Sequence, residues 1–313
     1  MKYGMESESR APHALRRAPV VTLLAVLCTM LWGSAFPLLK ISFVELSIDS
    51  PGEIYDFIAY RFIIAGLLMA LLIKMKGEGL GLSDGRSWGF VTLIALVQVC
   101  LQFVFFYIGL MNTTGVKASI INGSGTFFML ILSQVFVAAE NVSVKKWMGA
   151  MAGFAGLVAV NFNASLSEFS FSLMGDGMIL LTAPTGAFGS LLVKRASVFV
   201  SPLHINMYQF IIGSALLLAV SHATGSAHLA PSAFQSWNLG VLLYLGASTA
   251  MAFALWYTLI QMNNLSRVAV FFFLVPVWGA LFSTLLVPGE TLGVMTVLGG
   301  GLVSGGIYLT MRD

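Results

Sequence analysis

Residues 126–140 read TFFMLILSQVFVAAE, and residues 276–290 read PVWGALFSTLLVPGE. Each is an apolar run that ends on a glutamate, and the two lie 150 positions apart. Carried outward at the same offset, with no gap, the comparison sets Phe103 on Phe253, Tyr107 on Tyr257 and Ser133 on Ser283. Glu140 falls on Glu290, Val144 on Val294, Gly149 on Gly299 and Gly156 on Gly306, and Lys117 meets Arg267. Coincident Leu and Val are cheap in an apolar chain, whereas coincident Glu and Gly at constant spacing are not. The chain reads as two related halves.

The solvent of these halves is lipid. Of 313 residues, 58% are hydrophobic and only 9% charged, with a mean hydropathy of +0.91; a soluble domain carries about 25% charged residues. Backbone groups in a bilayer must bond within the protein, which leaves helices or closed barrels. Apolar runs of about 20 residues suit a helix, and the shorter alternating segments of a barrel are missing from the pattern. The expected fold class is an all-α membrane protein with ten spans, near 19–39, 54–73, 87–111, 115–139, 146–162, 173–193, 203–222, 237–260, 267–287 and 292–310. Residues 1–18 form an N-terminal tail, 19–162 the first repeat and 163–313 the second. The first apolar run is too long for a signal-peptide core and reads as a retained span. Five spans per half is an odd number, so the halves are expected to be inverted relative to each other.

Orientation follows from Lys and Arg. With a cytoplasmic N-terminus, the inner segments hold Lys2, Arg10, Arg16, Arg17, Lys74, Lys76, Arg86, Lys145, Lys146, Lys194, Arg195, Arg267 and Arg312. That is 13 of 16 basic residues, so both termini are expected in the cytoplasm. The net charge of +3 is dispersed and gives no reason to expect a nucleic-acid partner. Cys28 and Cys100 lie in apolar runs and define no disulfide framework.

Several pieces resemble the EamA family of the drug/metabolite transporter superfamily. They are Trp32-Gly33-Ser34 in the first span, Tyr60-Arg61-Phe62 in the second, the 276–290 stretch, its first-half relative ending in Ala139-Glu140, and the glycines after each Glu. Their order and duplication carry the resemblance. It implies a ten-helix fold that moves small metabolites, often outward across a bacterial inner membrane. One position departs from the family pattern of a proline in both the fourth and ninth spans: the partner of Pro276 is Thr126.

Polar side chains within a bilayer are costly and tend to face the bundle interior or a wet cavity. Gln98 and Gln102 are four apart, hence on one helix face. Ser119, Asn122, Thr126 and Ser133 follow one stripe of span four, and Thr182, Thr185 and Gly189 mark span six. Such groups either bond helix to helix or line a cavity. At the 150-residue offset, Gln98 meets Ser248, Gln102 meets Ala252, Asn122 meets Phe272 and Thr126 meets Pro276, with Trp256 nearby. One wall of a cavity between the halves would be polar and the other greasy, which suits an amphipathic solute such as an amino acid.

In span one, Trp32 and Ser34 join the substrate-binding candidates, and Gly33 allows close approach. Pro37 removes a backbone bond and kinks the span, giving a gate somewhere to bend. Arg61 either snorkels, pairs with Asp56, Glu53 or a carbonyl, or attracts an anionic group at the outer mouth. Asp176 is its acidic counterpart near the start of span six. Glu140 and Glu290 are expected to fix the turns into spans five and ten. Gly149/Gly153 and Gly301/Gly305 are GxxxG pairs that pack spans five and ten or build a homodimer.

The expected function is a transporter, an exporter working by alternating access; the alternatives are a channel, or a carrier of another class such as drugs or nucleobases. An enzyme is disfavoured, because no nucleophile, base and acid assemble and His13, His204, His222 and His228 show no ligand spacing. No catalytic residue, metal or cofactor is assigned; the expected partners are a small-molecule substrate and the lipid bilayer.

Overall fold

The computed structural model describes residues 17–113, 115–137, 142–160, 171–223, 225, 227–230, 233–286 and 293–312. All regular structure among them is helical. In chain order the helices are α1 (Ala18–Glu45), α2 (Pro51–Met75), α3 (Gly85–Met111), α4 (Ala118–Phe136) and α5 (Val144–Val160). The second half holds α6 (Leu173–Ala196), α7 (Pro202–Ala223), α8 (Ser236–Met262), α9 (Leu265–Leu286) and α10 (Val294–Met311). Nine of these described helices are long and apolar enough to cross a membrane. The other, α5, has 17 residues. Large apolar side chains such as Leu23, Leu67, Leu71, Val135 and Met151 point outward, the inverse of a soluble surface and the condition for solvation by lipid.

Local chemistry sets the starts. Pro19 opens α1, where its missing N–H is no loss. Ser50 accepts from the Glu53 N–H while the Glu53 carboxylate accepts from the Ser50 N–H, a reciprocal cap on α2. Asp84 accepts from the Ser87 N–H at 2.7 Å and starts α3. Irregularities fall inside four of the described spans: α4 is interrupted by a turn at Ser124, between Gly115–Gly123 and Gly125–Phe136, and three others change their winding. α3 widens to a π turn over Ala95–Leu101, α6 begins as one over Leu173–Gly177, and α9 tightens to a 3₁₀ turn over Val270–Phe273. Pro276 follows that last turn and brings no N–H for the Phe272 carbonyl four residues back, and Pro37 brings none for that of Gly33. α1 nevertheless continues to Glu45.

The pairing of helices is duplicated. α2 packs against α7, and α5 against α10. α1 packs on α8 and α9, while α6 packs on α3 and α4. The α5–α10 pair is antiparallel and close: a Cβ on Gly156 would sit 2.5 Å from the Gly299 carbonyl, and one on Gly149 would sit 2.6 Å from the Gly306 carbonyl. The Gly149/Gly153 pair therefore serves packing inside the chain. Gly301 and Gly305 instead meet open space, and α10 uses Gly299 and Gly306 for the seam. Gly33 lets α1 approach α9, where a Cβ would lie 2.4 Å from Trp278 Cβ. Two apolar clusters fill the interior, one around Trp256, Tyr257, Phe271 and Phe273, the other around Phe57, Phe62 and Phe210.

Candidate functional site: a cavity between α1, α3, α4, α5 and α9

A cavity of about 80 Å³ lies where five helices converge. α4 contributes Ser119, Asn122 and Gly123; α9 contributes Phe272, Val275 and Pro276. Phe36 of α1, Phe106 and Leu110 of α3 and Leu157 of α5 complete the lining. Its polar groups are thus on α4 and its greasy wall is on α9. Several lining residues lie near helix ends: Phe106 and Leu110 at the end of α3, Ala118 and Ser119 at the start of α4, and Leu157 at the end of α5.

The polar wall is held from behind. Thr182 of α6 donates to Asn122 Oδ1 at 2.9 Å and is within 2.6 Å of the Ile179 carbonyl. That fixes the amide carbonyl toward α6. The greasy wall rests on an aromatic cluster. Trp32 meets Phe253, Trp256 and Phe272 at centroid distances of 5.2, 5.2 and 5.3 Å, and Trp256 meets Phe272 edge-on at 5.3 Å. These are favourable ring geometries. Trp32 Nε1 is buried there with no hydrogen-bond partner.

Each end of the bundle has a polar closure. At the α3–α4 turn, Asp176 is fully buried and accepts from the Thr113 hydroxyl, and from the Ser172 N–H at 3.0 Å. At the α8–α9 turn, Lys194 donates to the Ile260 carbonyl at 2.8 Å and to the Asn263 carbonyl. A cation suits the free carbonyls that end α8. Gln261 adds a bond to the Ser197 carbonyl at 2.7 Å, and buried Lys146 donates to Ser266 Oγ at 3.2 Å. Helix α6 thus holds the third-to-fourth turn of both halves, with an acid at one end and a base at the other.

The remaining candidates are used elsewhere. Gln98 and Gln102 do share a face, but that face meets α6, where Gly189 and Gly186 make room for the two amides. Gln98 Nε2 donates to Tyr257 at 3.3 Å, and Tyr257 donates to Gln209 at 2.9 Å; Gln98 Oε1 is buried without a donor. Thr126 is buried, 3.4 Å from the Ala269 carbonyl. Thr185 donates back to Leu181 at 2.6 Å. Ser34 pairs with Tyr244 at 2.7 Å in an open groove of about 350 Å³ between α1, α8 and α9. Arg61 is buried and takes the carbonyl option: its Nε donates to Leu245 O at 3.3 Å and to Thr249 Oγ1 at 2.7 Å. Asp56, an expected partner of Arg61, instead lies 3.2 Å from His228. Glu140 and Glu290 lie outside the described residues. Lys194 and Tyr244 carry no sequence signal of a site, since a Lys at a helix end and an isolated Tyr mean nothing until the neighbouring helix is in place.

The EamA-like transporter family model matches residues 20–162 and 173–312. An uncharacterized transporter of Archaeoglobus fulgidus is 27% identical over 290 residues, spanning 92% of this chain and 96% of its own. A WAT1-related chloroplastic protein of Arabidopsis thaliana is 26% identical across 89% of this chain and 66% of its own, and the Bacillus subtilis uncharacterized transporter YoaV is 22% identical across 90% and 93%. A solved crystal structure of a protein superposes with a TM-score of 0.75 at 17% identity, over 92% of this chain and 95% of the other, which speaks for the fold. Apolar helices with lipid-facing exteriors, and two successive family matches that divide the chain at its middle, make this an integral membrane protein that belongs to the EamA-like transporter family.

Proposed function

We propose that the protein carries a small amphipathic metabolite, an amino acid or a related compound, out of the cell by alternating access. The carrier is ten-spanning, with α5 as the short fifth span, and its two five-helix halves are inverted. The duplicated pairing of helices supports that arrangement: α2 with α7 and α5 with α10 are each a helix against its own repeat counterpart. Both termini face the cytoplasm, as the Lys and Arg distribution favours, and the membrane is a bacterial inner membrane, as the family resemblance implies.

The observation that carries the reading is the two-sided cavity, with Ser119 and Asn122 opposite Phe272, Val275 and Pro276. A water's share of liquid volume is about 30 Å³, so a cavity of about 80 Å³ admits roughly three waters, or the polar head of a small solute. Asn122 and Ser119 would receive that head, and the α9 wall with the Trp32–Trp256–Phe272 rings behind it would take the apolar body. Alternating access then requires the Asp176 and Lys194 closures to open in turn. Spans one, three, four, eight and nine hold no mid-membrane carboxylate, so movement runs down the solute's own gradient or by exchange, without a dedicated proton site. The sequence expectation of a homodimer keeps one named surface, the outward Gly301/Gly305 face of α10.

The test is uptake by proteoliposomes across amino acids, amines, nucleobases and sugars. Saturable uptake of an amphipathic amino-acid-like solute is expected. Ion conductance without solute uptake would replace the carrier by a channel, and uptake of nucleobases alone would replace the substrate class. Accumulation driven by a pH difference alone would overturn the uncoupled mechanism.

A further inference from the structure

Asp56 meets two histidines remote from it in sequence, His222 and His228, at the end of the bundle where α2 begins and α7 ends. Asp56 lies in the second turn of α2, His222 in the last turn of α7, and His228 in the connection to α8. One ligand atom from each lies within 4.8 Å of the other two. His228 Nδ1 is 3.2 Å from Asp56 Oδ2, and the two imidazole rings stack at 4.3 Å between centroids.

Three details give the cluster the chemistry of a ligand set. First, Asp56 is 1% exposed, and its Oδ1 is buried with no hydrogen-bond partner. A buried carboxylate oxygen without a donor is costly, and a cation would satisfy it. Second, His222 Nδ1 lies 2.8 Å from the Leu218 carbonyl. A carbonyl only accepts, so Nδ1 carries the proton and Nε2 keeps the lone pair that a metal takes. Third, the Leu229 N–H donates to Asp56 Oδ2 at 3.0 Å and fixes the carboxylate, while Ser221 Oγ, 3.0 Å from the Gly52 carbonyl and 3.1 Å from His228 Nδ1, joins the same three elements.

We propose that Asp56, His222 and His228 form a binding site for a divalent transition cation of the Zn²⁺ type. Without an ion, His228 Nδ1 donates to Asp56 Oδ2 at 3.2 Å. A tetrahedral centre with bonds of about 2.1 Å spaces its ligand atoms by roughly 3.4 Å, so a cation would take the place of that proton, which binding releases. The two imidazoles are exposed, so rotation of their side chains closes the wider gaps. Three protein ligands leave a fourth position for water. Two imidazoles and one carboxylate suit Zn²⁺, Ni²⁺ or Cu²⁺; Ca²⁺ and Mg²⁺ ask for a shell of oxygens that this cluster does not supply. A bound ion would fasten the α7–α8 connection to the start of α2.

The test uses the full chain, purified with any affinity tag removed, titrated with ZnCl2 or MgCl2 by calorimetry and followed by thermal unfolding. One Zn²⁺ per chain and a Zn²⁺-dependent rise in Tm are expected, with no response to Mg²⁺. His222→Gln and His228→Gln sit at exposed positions where the fold is not at stake, and each should weaken binding at least tenfold. Asp56→Asn keeps an acceptor for Leu229 and should weaken it similarly. His13 and His204 remain in every variant and report binding elsewhere. Zn²⁺ affinity unchanged in a His222→Gln/His228→Gln double variant, no Zn²⁺ binding by the wild type, or an equal response to Mg²⁺ would each overturn the site. None of these readouts depends on transport.

Discussion

Asn122 is the residue at which the polar wall can be removed with little damage to the bundle. Its Oδ1 accepts one hydrogen bond, from Thr182 at 2.9 Å, and Thr182 keeps the Ile179 carbonyl at 2.6 Å when that bond is lost. Hydrogen bonds between membrane helices average about 0.6 kcal/mol, so Asn122→Leu should lower stability by roughly that amount and shift Tm only slightly. Transport should respond far more. A hydrogen bond to a charged group contributes about 1.5–3 kcal/mol, and each 1.4 kcal/mol is about tenfold. Half-saturation for a zwitterionic solute should therefore rise roughly 10- to 150-fold. Asn122→Ala separates polarity from volume, because it removes the amide while enlarging the cavity. The assay is initial uptake against solute concentration in proteoliposomes, with thermal unfolding of the same preparations. Wild-type half-saturation in Asn122→Leu would refute the reasoning. So would a normal Asn122→Ala beside a dead Asn122→Leu, since filling the void, not losing the amide, would then be the cause.

Other outcomes follow from the packing and the charges. Gly156→Leu forces a side chain into the Gly299 backbone 2.5 Å away, and overpacking of this kind costs about 1–3 kcal/mol or more. Gly301→Leu points into open space and should leave the Tm of the monomer unchanged in detergent. Arg61→Met removes a buried cation whose bonding partners keep one another, since Thr249 donates to the Leu245 carbonyl at 2.7 Å. Its effect on unfolding should be within about 1 kcal/mol, and a larger loss would mean that the guanidinium is structural. The Ser87 N–H on Asp84 holds that carboxyl below its ordinary value of 3.8. The sign follows: a depressed folded-state pKa contributes stability above the unfolded value, and that stability is lost as pH falls through the lower folded value. Asp84→Ala should therefore flatten the acid limb of Tm against pH, and an unchanged limb would show that the cap has no such role.

The membrane-embedded helices and the family were legible because both rest on local or linear information. Hydropathy is a sum over about 20 neighbouring residues, and Trp32-Gly33-Ser34 or the 276–290 stretch can be read without knowing what they touch. The site was legible only in part. Asn122, Phe272 and Pro276 border the cavity, and Trp32 and Trp256 stand behind it. Gln98 and Gln102 have the spacing of a shared face, yet that face meets Gly189 and Gly186. Spacing says which residues share a face and is silent on what the face meets.

Composition and period alone determined that this chain folds as helices in lipid, and the repeated Glu and Gly positions gave the expectation of two related halves, with which the two successive family matches are consistent. The tertiary structure decided where the polar groups go. Thr182 reaches Asn122 across 60 residues, Lys194 reaches the end of α8 across 66, and His228 reaches Asp56 across 172. The rotation of a helix about its axis is set by the helices packed around it, and in a membrane, where lipid is as apolar as the core, hydropathy gives little preference for one orientation over another.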